Sequence, residues 1–145
     1  MIKVFLVRHA DIELPPTTPD PSLSAAGHAR AKALARVLGA EPIGAIFTSE
    51  AKRTKETVMP LAALHHVAAA EAPATLIQDL LAGPGNAVAV VAGHSNTIPA
   101  MIDALGVPAP LPKIGERHFD NLFLVVVPAT GHAVLTQLKY GEESV

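Results

Sequence analysis

Two rhythms of apolar and polar residues run along this chain. Ile2 to Val7 is an unbroken apolar run, too short for a helix and built from β-branched, aliphatic and aromatic residues, so it predicts a buried strand. Ala87 to Ala92 (AVAVVA) predicts a second strand, apolar on both faces and therefore central in its sheet. Ile43 to Thr48 is a third strand, and the stretch after His65-His66 is a candidate for a short fourth. The spaces between read with helical periodicity. Leu23-Ser24 opens a helix with Ser24 as N-cap and Ala33, Leu34, Val37 and Leu38 as its apolar stripe, closed by Gly39 in the left-handed conformation. Glu50 to about Leu64 is a second helix, capped from Thr48 or Ser49 and kinked or ended at Met59-Pro60. Ala74 to Ala82 is a third, with Leu76, Ile77, Leu80 and Leu81 inward, and Ile98, Met101, Ile102 and Leu105 mark a fourth. Phe119 to Val127 and His132 to Tyr140 flank a Pro-Ala-Thr-Gly turn and predict an antiparallel hairpin at one side of the sheet, followed by a polar tail expected to fray from Gly141. Residues 11–22 and 107–118 are proline-rich loops. Gly27 costs helix propensity in the first turn of its helix, a tolerated imperfection unless another backbone approaches it there.

Alternation of strands and helices makes this an α/β chain with a mostly parallel sheet and helices on both faces. Its 145 residues, with no internal repeat or linker, fit one domain spanning 1–145. Half of the residues are apolar but only Phe5, Phe47, Phe119, Phe123 and Tyr140 are aromatic, so the core is packed with Ala, Val, Leu and Ile. A net charge of −2 without a basic tract argues against a nucleic-acid partner. The absence of cysteine removes disulfides and thiolate chemistry. No apolar run reaches the length of a membrane span, and the first apolar segment leads into Arg8-His9 rather than a small-residue cleavage site; a soluble, cytoplasmic protein without a membrane partner is expected. Nothing in the sequence states its oligomeric state.

The strands end on chemistry. Arg8 and His9 stop the first apolar run abruptly; had the strand continued they would point to opposite faces, so the backbone must turn there for both to meet one ligand. Arg53 stands near the amino end of the second helix, where a cation is unfavourable unless an anion compensates it. His94 follows the central strand in Gly93-His94-Ser95-Asn96-Thr97, where Ser95 or Asn96 would cap a helix while its N–H groups face an anion. In a parallel sheet the carboxyl ends of the strands share one edge, where ligands bind. Arg8, His9, Arg53 and His94 therefore can converge on a phosphoryl group: two arginines on the non-bridging oxygens, neutral His9 attacking phosphorus, His94 on the equatorial oxygens. That site requires no metal and no cofactor. His65-His66 alone invites a metal reading, which adjacent residues facing opposite ways make improbable.

Leu6-Val7-Arg8-His9-Ala10, Leu23-Ser24-x-x-Gly27-x-x-Arg30-Ala31, Ser49-x-x-x-Arg53-Thr54-x-x-Thr57 and Gly93-His94-Ser95-Asn96 together resemble the motifs of the histidine phosphatase superfamily (phosphoglycerate mutase-like), in family order. The resemblance implies a three-layer α/β/α sandwich and a covalent phosphohistidine on His9, with Arg8, Arg53 and His94 completing the phosphate pocket. Ser95 and Asn96 are further candidates for substrate contact. Two departures shape the expectation. The chain continues Arg8-His9-Ala10-Asp11-Ile12 where mutase-like branches read Arg-His-Gly-x-Thr, and residues 54–93 leave no room for the insertion that carries a glutamate acid in larger members. Mutase activity is not expected, and the compact build resembles the small phosphohistidine phosphatases. Asp11, near the nucleophile, is a candidate general acid, with Glu13, Glu71, Glu116 and His118 as alternatives. Three functions remain: a phosphatase acting on a phosphorylated small molecule, one acting on a phosphohistidine protein, or a phosphate-binding module with little turnover.

Overall fold

The computed structural model describes residues 1–144. Ten elements follow one another: β1 (Ile2–Arg8), α1 (Ala25–Val37), β2 (Ala45–Thr48), α2 (Lys52–His65), β3 (Ala69–Glu71), α3 (Leu76–Ala82), β4 (Val88–Gly93), α4 (Thr97–Ala104), β5 (Asn121–Val127) and β6 (Val134–Lys139). The six strands form one sheet in the order β3-β2-β4-β1-β5-β6. β3, β2, β4 and β1 are parallel; β5 runs antiparallel to β1, and β6 to β5. Alternate residues of β1 point to opposite faces. Phe5 and Val7 join Leu34, Leu38, Val58 and Leu61 from α1 and α2 on one face, while Val4 and Leu6 join Leu76, Ile98 and Ile102 from α3 and α4 on the other. The result is the expected α/β/α sandwich with a mostly parallel sheet. Among the described residues no helix is long and apolar enough to cross a membrane.

Several local expectations give way to tertiary packing. α2 passes through Pro60 and ends at His65, with His66 in the left-handed region at φ 54°. A helix-interior proline costs about 3 kcal/mol, and the burial of Val58 and Leu61 on either side, about 1.5–3 kcal/mol each, offsets it. Neither Thr48 nor Ser49 caps this helix: Ala51 is its N-cap residue, Ser49 is turned toward His94, and Asp20 Oδ1 accepts from the Lys52 N–H at 3.0 Å. α1 is capped by Ser24 as expected, its side chain accepting from the Gly27 N–H. Its buried stripe is rotated, however, onto Gly27, Arg30, Ala31, Leu34 and Ala35, leaving Val37 half exposed. Gly39 is not left-handed; Leu38 closes the helix. Leu81 faces solvent rather than the core, and α3 begins only at Leu76. The tail is tied down rather than frayed as far as Ser144, whose hydroxyl accepts from the Phe119 N–H and whose own N–H donates to Asp120.

Candidate active site

The bend after β1 is fixed by hydrogen bonds from two helices. Arg8 is the last residue in register with β4, opposite Gly93, and the His9 N–H donates to the Gly93 carbonyl at 2.8 Å. Ala10 N–H then donates to the Thr57 hydroxyl (2.8 Å), which itself donates to the Arg53 carbonyl (2.6 Å). One threonine thus straps the amino-terminal half of α2, and with it Arg53, to the residue after His9. On the other side the Asp11 carbonyl accepts from the Ser24 N–H at the start of α1 (2.9 Å). A Cβ on Gly27 would lie 2.1 Å from that carbonyl oxygen, so close backbone approach is what this glycine permits. With the bend held from both sides, consecutive Arg8 and His9 line one cleft.

His9 is buried, 4% exposed. Its Nδ1 lies 2.8 Å from the Ala10 carbonyl. A carbonyl only accepts, so Nδ1 carries the proton and Nε2 keeps its lone pair. Burial is the main cause that lowers the imidazole to about 3, helped by the nearby Arg8, Arg53 and His94 and opposed by the Ala10 hydrogen bond. His9 is neutral throughout the physiological range. Arg8 is nearly as buried; its Nη1 donates to the carbonyls of Gly115, Glu116 and His118 at 2.9–3.0 Å, and its guanidinium lies 4.2 Å from the Phe119 ring centroid. Burial lowers it to about 10, against the pull of Asp11 and Glu116, so it stays charged. Its Nε is buried with no partner among the described residues.

His94 stands across the cleft, its ring 5.6 Å from that of His9. Arg53 Nη2 lies 3.3 Å from His94 Nδ1, and since a guanidinium only donates, Nδ1 is the acceptor. The proton of neutral His94 is therefore on Nε2, which donates to Ser49 Oγ at 2.8 Å. Ser49 Oγ is 2.8 Å from Thr54 Oγ1, and the buried Thr54 hydroxyl donates to the Ala51 carbonyl at 2.9 Å. Burial and the two arginines hold His94 below its ordinary value.

A family model for the histidine phosphatase superfamily (branch 1) matches residues 4–75, the stretch that carries Arg8, His9 and Arg53. Over that stretch, just under half of its length, the chain matches the histidine phosphatase superfamily. Solved structures extend the likeness over the rest of the fold. The protein histidine phosphatase SixA in complex with tungstate superposes with a TM-score of 0.73 at 17% identity, covering 94% of this chain and 96% of that one. A protein assigned as SixA from Agrobacterium tumefaciens gives 0.69 at 22% identity, covering 96% and 98%. A mycobacterial glucosyl-3-phosphoglycerate phosphatase bound to VO3 gives 0.66 at 15% identity, covering 93% and 96%. At these identities the likeness is one of fold. No curated protein sequence matches the chain.

Within this histidine phosphatase fold, Arg8, His9, Arg53 and His94 line one cleft of about 630 Å³, together with Ser95, Asn96 and Glu116. Gly93 leaves room not for a ligand but for Thr97 and Ile98 of α4, 2.8 and 3.0 Å from where its Cβ would be. Asp11 is elsewhere. Its carboxylate grips Arg30, Oδ1 to Nε at 2.6 Å and Oδ2 to Nη2 at 3.4 Å. With Glu13 it lines a neighbouring hollow of about 670 Å³ that contains none of the four converging residues. Glu71 pairs with Lys55 on the surface. His65 lies 3.0 Å from the Leu38 carbonyl and His66 closes α2, so the histidine pair serves the helix end. Thr57 and Phe119 are site residues to which sequence reasoning assigns no role, and Ser49 is expected from it only as a helix cap. Arg53 and Thr57 stand four apart on one helix face, a spacing that points to the first; nothing in the pattern announces Phe119.

Proposed function

We propose that this chain is a phosphatase that hydrolyses a phosphomonoester through a covalent phosphohistidine on His9, without a metal in the reaction. The observation that carries the reading is a neutral imidazole with a free Nε2 beside two arginines. Arg8 is 6% exposed and bonds only to carbonyls, with no carboxylate in ion-pair range among the described residues. A buried charge left uncompensated is costly, and a phosphoryl dianion supplies the counter-charge. Arg8 and Arg53 hold its non-bridging oxygens. His9 Nε2 attacks phosphorus as the ester P–O bond breaks, and the Nδ1–H donated to Ala10 stabilises the positive phospho-imidazole. The dianion draws Arg53 off His94 Nδ1 and favours a proton there, which gives the oxyanion another donor while Nε2–H stays on Ser49. Water then attacks phosphorus, the P–N bond breaks, and phosphate leaves. Ser95 and Asn96 complete the substrate contacts at the start of α4.

Both proline-rich loops wall the cleft, through Ile12, Leu14, Pro16 and Pro19 on one side and Glu116 on the other. Such walls suit a small phosphorylated molecule better than a phosphohistidine presented on a protein surface. The test is rapid mixing of the wild type and His9→Ala with para-nitrophenyl phosphate in the presence of chelator. Turnover with acid-labile, alkali-stable phosphate on the protein is expected, both lost in His9→Ala. Tight phosphate binding with neither turnover nor label would instead make this a phosphate-binding module. Hydrolysis of phosphoramidate but of no phosphomonoester would favour the phosphohistidine substrate.

A further inference from the structure

We infer that Glu116 is the general acid of this site and that the substrate is therefore the phosphomonoester of an aliphatic alcohol. The inference rests on the phosphohistidine reading above. Alkoxides are poor leaving groups and depart only when protonated, whereas nitrophenolate and imidazole leave with little help. The carboxylates near the nucleophile in sequence are committed elsewhere: Asp11 to Arg30, and Glu13 to the neighbouring hollow. Glu71 is bound to Lys55. His118 is turned back over Gly115, where its Nδ1 lies 2.8 Å from the site of a Cβ. Glu116 alone of these lines the cleft with His9, Arg53 and His94.

The loop that carries it is built into the phosphate pocket. Among the described residues, Arg8 Nη1 donates only to the carbonyls of Gly115, Glu116 and His118, with Glu116 O at 2.9 Å. Buried Ile114 precedes it, its N–H donating to Ser95 O at 2.9 Å, and Phe119 follows it, stacked on Arg8. The segment is thus clamped on both sides of Glu116, and its carboxylate is near enough to Arg8 to oppose the fall in that residue's pKa. In the first step the protonated Glu116 gives its proton to the ester oxygen as the P–O bond breaks and the bond from His9 Nε2 to phosphorus forms. In the second, the Glu116 carboxylate takes a proton from the water that attacks phosphorus, the P–N bond breaks, and both residues return to their starting states.

The test compares the wild type, Glu116→Gln and Glu116→Asp on ethyl phosphate and para-nitrophenyl phosphate, reading kcat/KM, which reports transfer to His9 and is not masked by slow dephosphorylation. Glu116→Gln is expected to lose about 10²–10⁴-fold on ethyl phosphate and less than about tenfold on the aryl ester. Glu116→Asp recovers part of the ethyl phosphate rate. Turnover of the aryl ester by each variant certifies its fold. Equal losses on both esters, no loss on either, or a wild type that cleaves only the aryl ester would overturn the assignment while labelled His9 still upheld the phosphohistidine chemistry. A wild type that cleaves neither and takes no label would overturn both.

Discussion

At the scale of single residues, the site works by deciding where protons are before substrate arrives. A carbonyl on Nδ1 leaves the His9 lone pair free at Nε2, and an arginine on Nδ1 forces the His94 proton to Nε2. Only the first partner is next to its histidine in sequence; the second depends on a helix brought from elsewhere. Ser49 completes the arrangement as a positioning residue, taking the His94 proton at 2.8 Å and backed by Thr54. In Ser49→Ala that N–H loses its acceptor. Long-range proton–nitrogen spectra should show His94 as the Nε2–H tautomer in the wild type and as a mixture in the variant. A net hydrogen bond is worth about 1 kcal/mol, so kcat/KM is expected to fall about fivefold, with Ser49→Thr restoring tautomer and rate together. A variant with wild-type tautomer and rate would remove Ser49 from the machinery.

At the scale of elements, the strands and their chemical ends were legible, because an apolar run that stops at Arg8-His9 or Gly93-His94 depends on little beyond itself. Helix details were not. Pro60 inside α2 and the exposed Val37 and Leu81 are decided by which face meets the sheet, information no local pattern holds. Gly27 is the instructive case. In isolation it is a poor helix former, and alanine there would gain about 1 kcal/mol. In the fold, a Cβ would stand 2.1 Å from the Asp11 carbonyl, a backbone atom two residues past His9. Overpacking of this kind costs about 1–3 kcal/mol or more and cannot be relieved without moving the bend. Gly27→Ala should therefore lower the thermal midpoint and kcat/KM together. A stabilised, fully active variant would show that the contact between α1 and the bend is softer than its geometry implies.

At the scale of the whole molecule, the route of the chain makes the site. It steps outward from β1 to β2 to β3 with α1 and α2 on one face, then returns to insert β4 between β2 and β1 with α3 and α4 on the other. The strand ends that carry His9 and His94 become neighbours at the point where the direction reverses, the place where open α/β sheets bind ligands. Sequence order shows each strand end separately; it does not show that residues past Tyr140 return to brace Phe119, or that Arg30 joins three distant segments. Arg30 holds Asp11 after β1 from its place on α1 and donates to the Tyr140 carbonyl after β6 at 3.0 Å. Both members of the ion pair are sheltered, 6% and 18% exposed. Removing one partner of such a pair leaves a buried charge and costs about 3–5 kcal/mol. Arg30→Met and Asp11→Asn should each lower the urea midpoint strongly, and the double variant should lose less than the sum of the two. If Asp11 serves this joint rather than proton transfer, Asp11→Asn will slow ethyl and para-nitrophenyl phosphate alike, in proportion to its effect on the fold. A selective loss on the ethyl ester with an unchanged urea midpoint would return Asp11 to the role of acid and displace Glu116 from it.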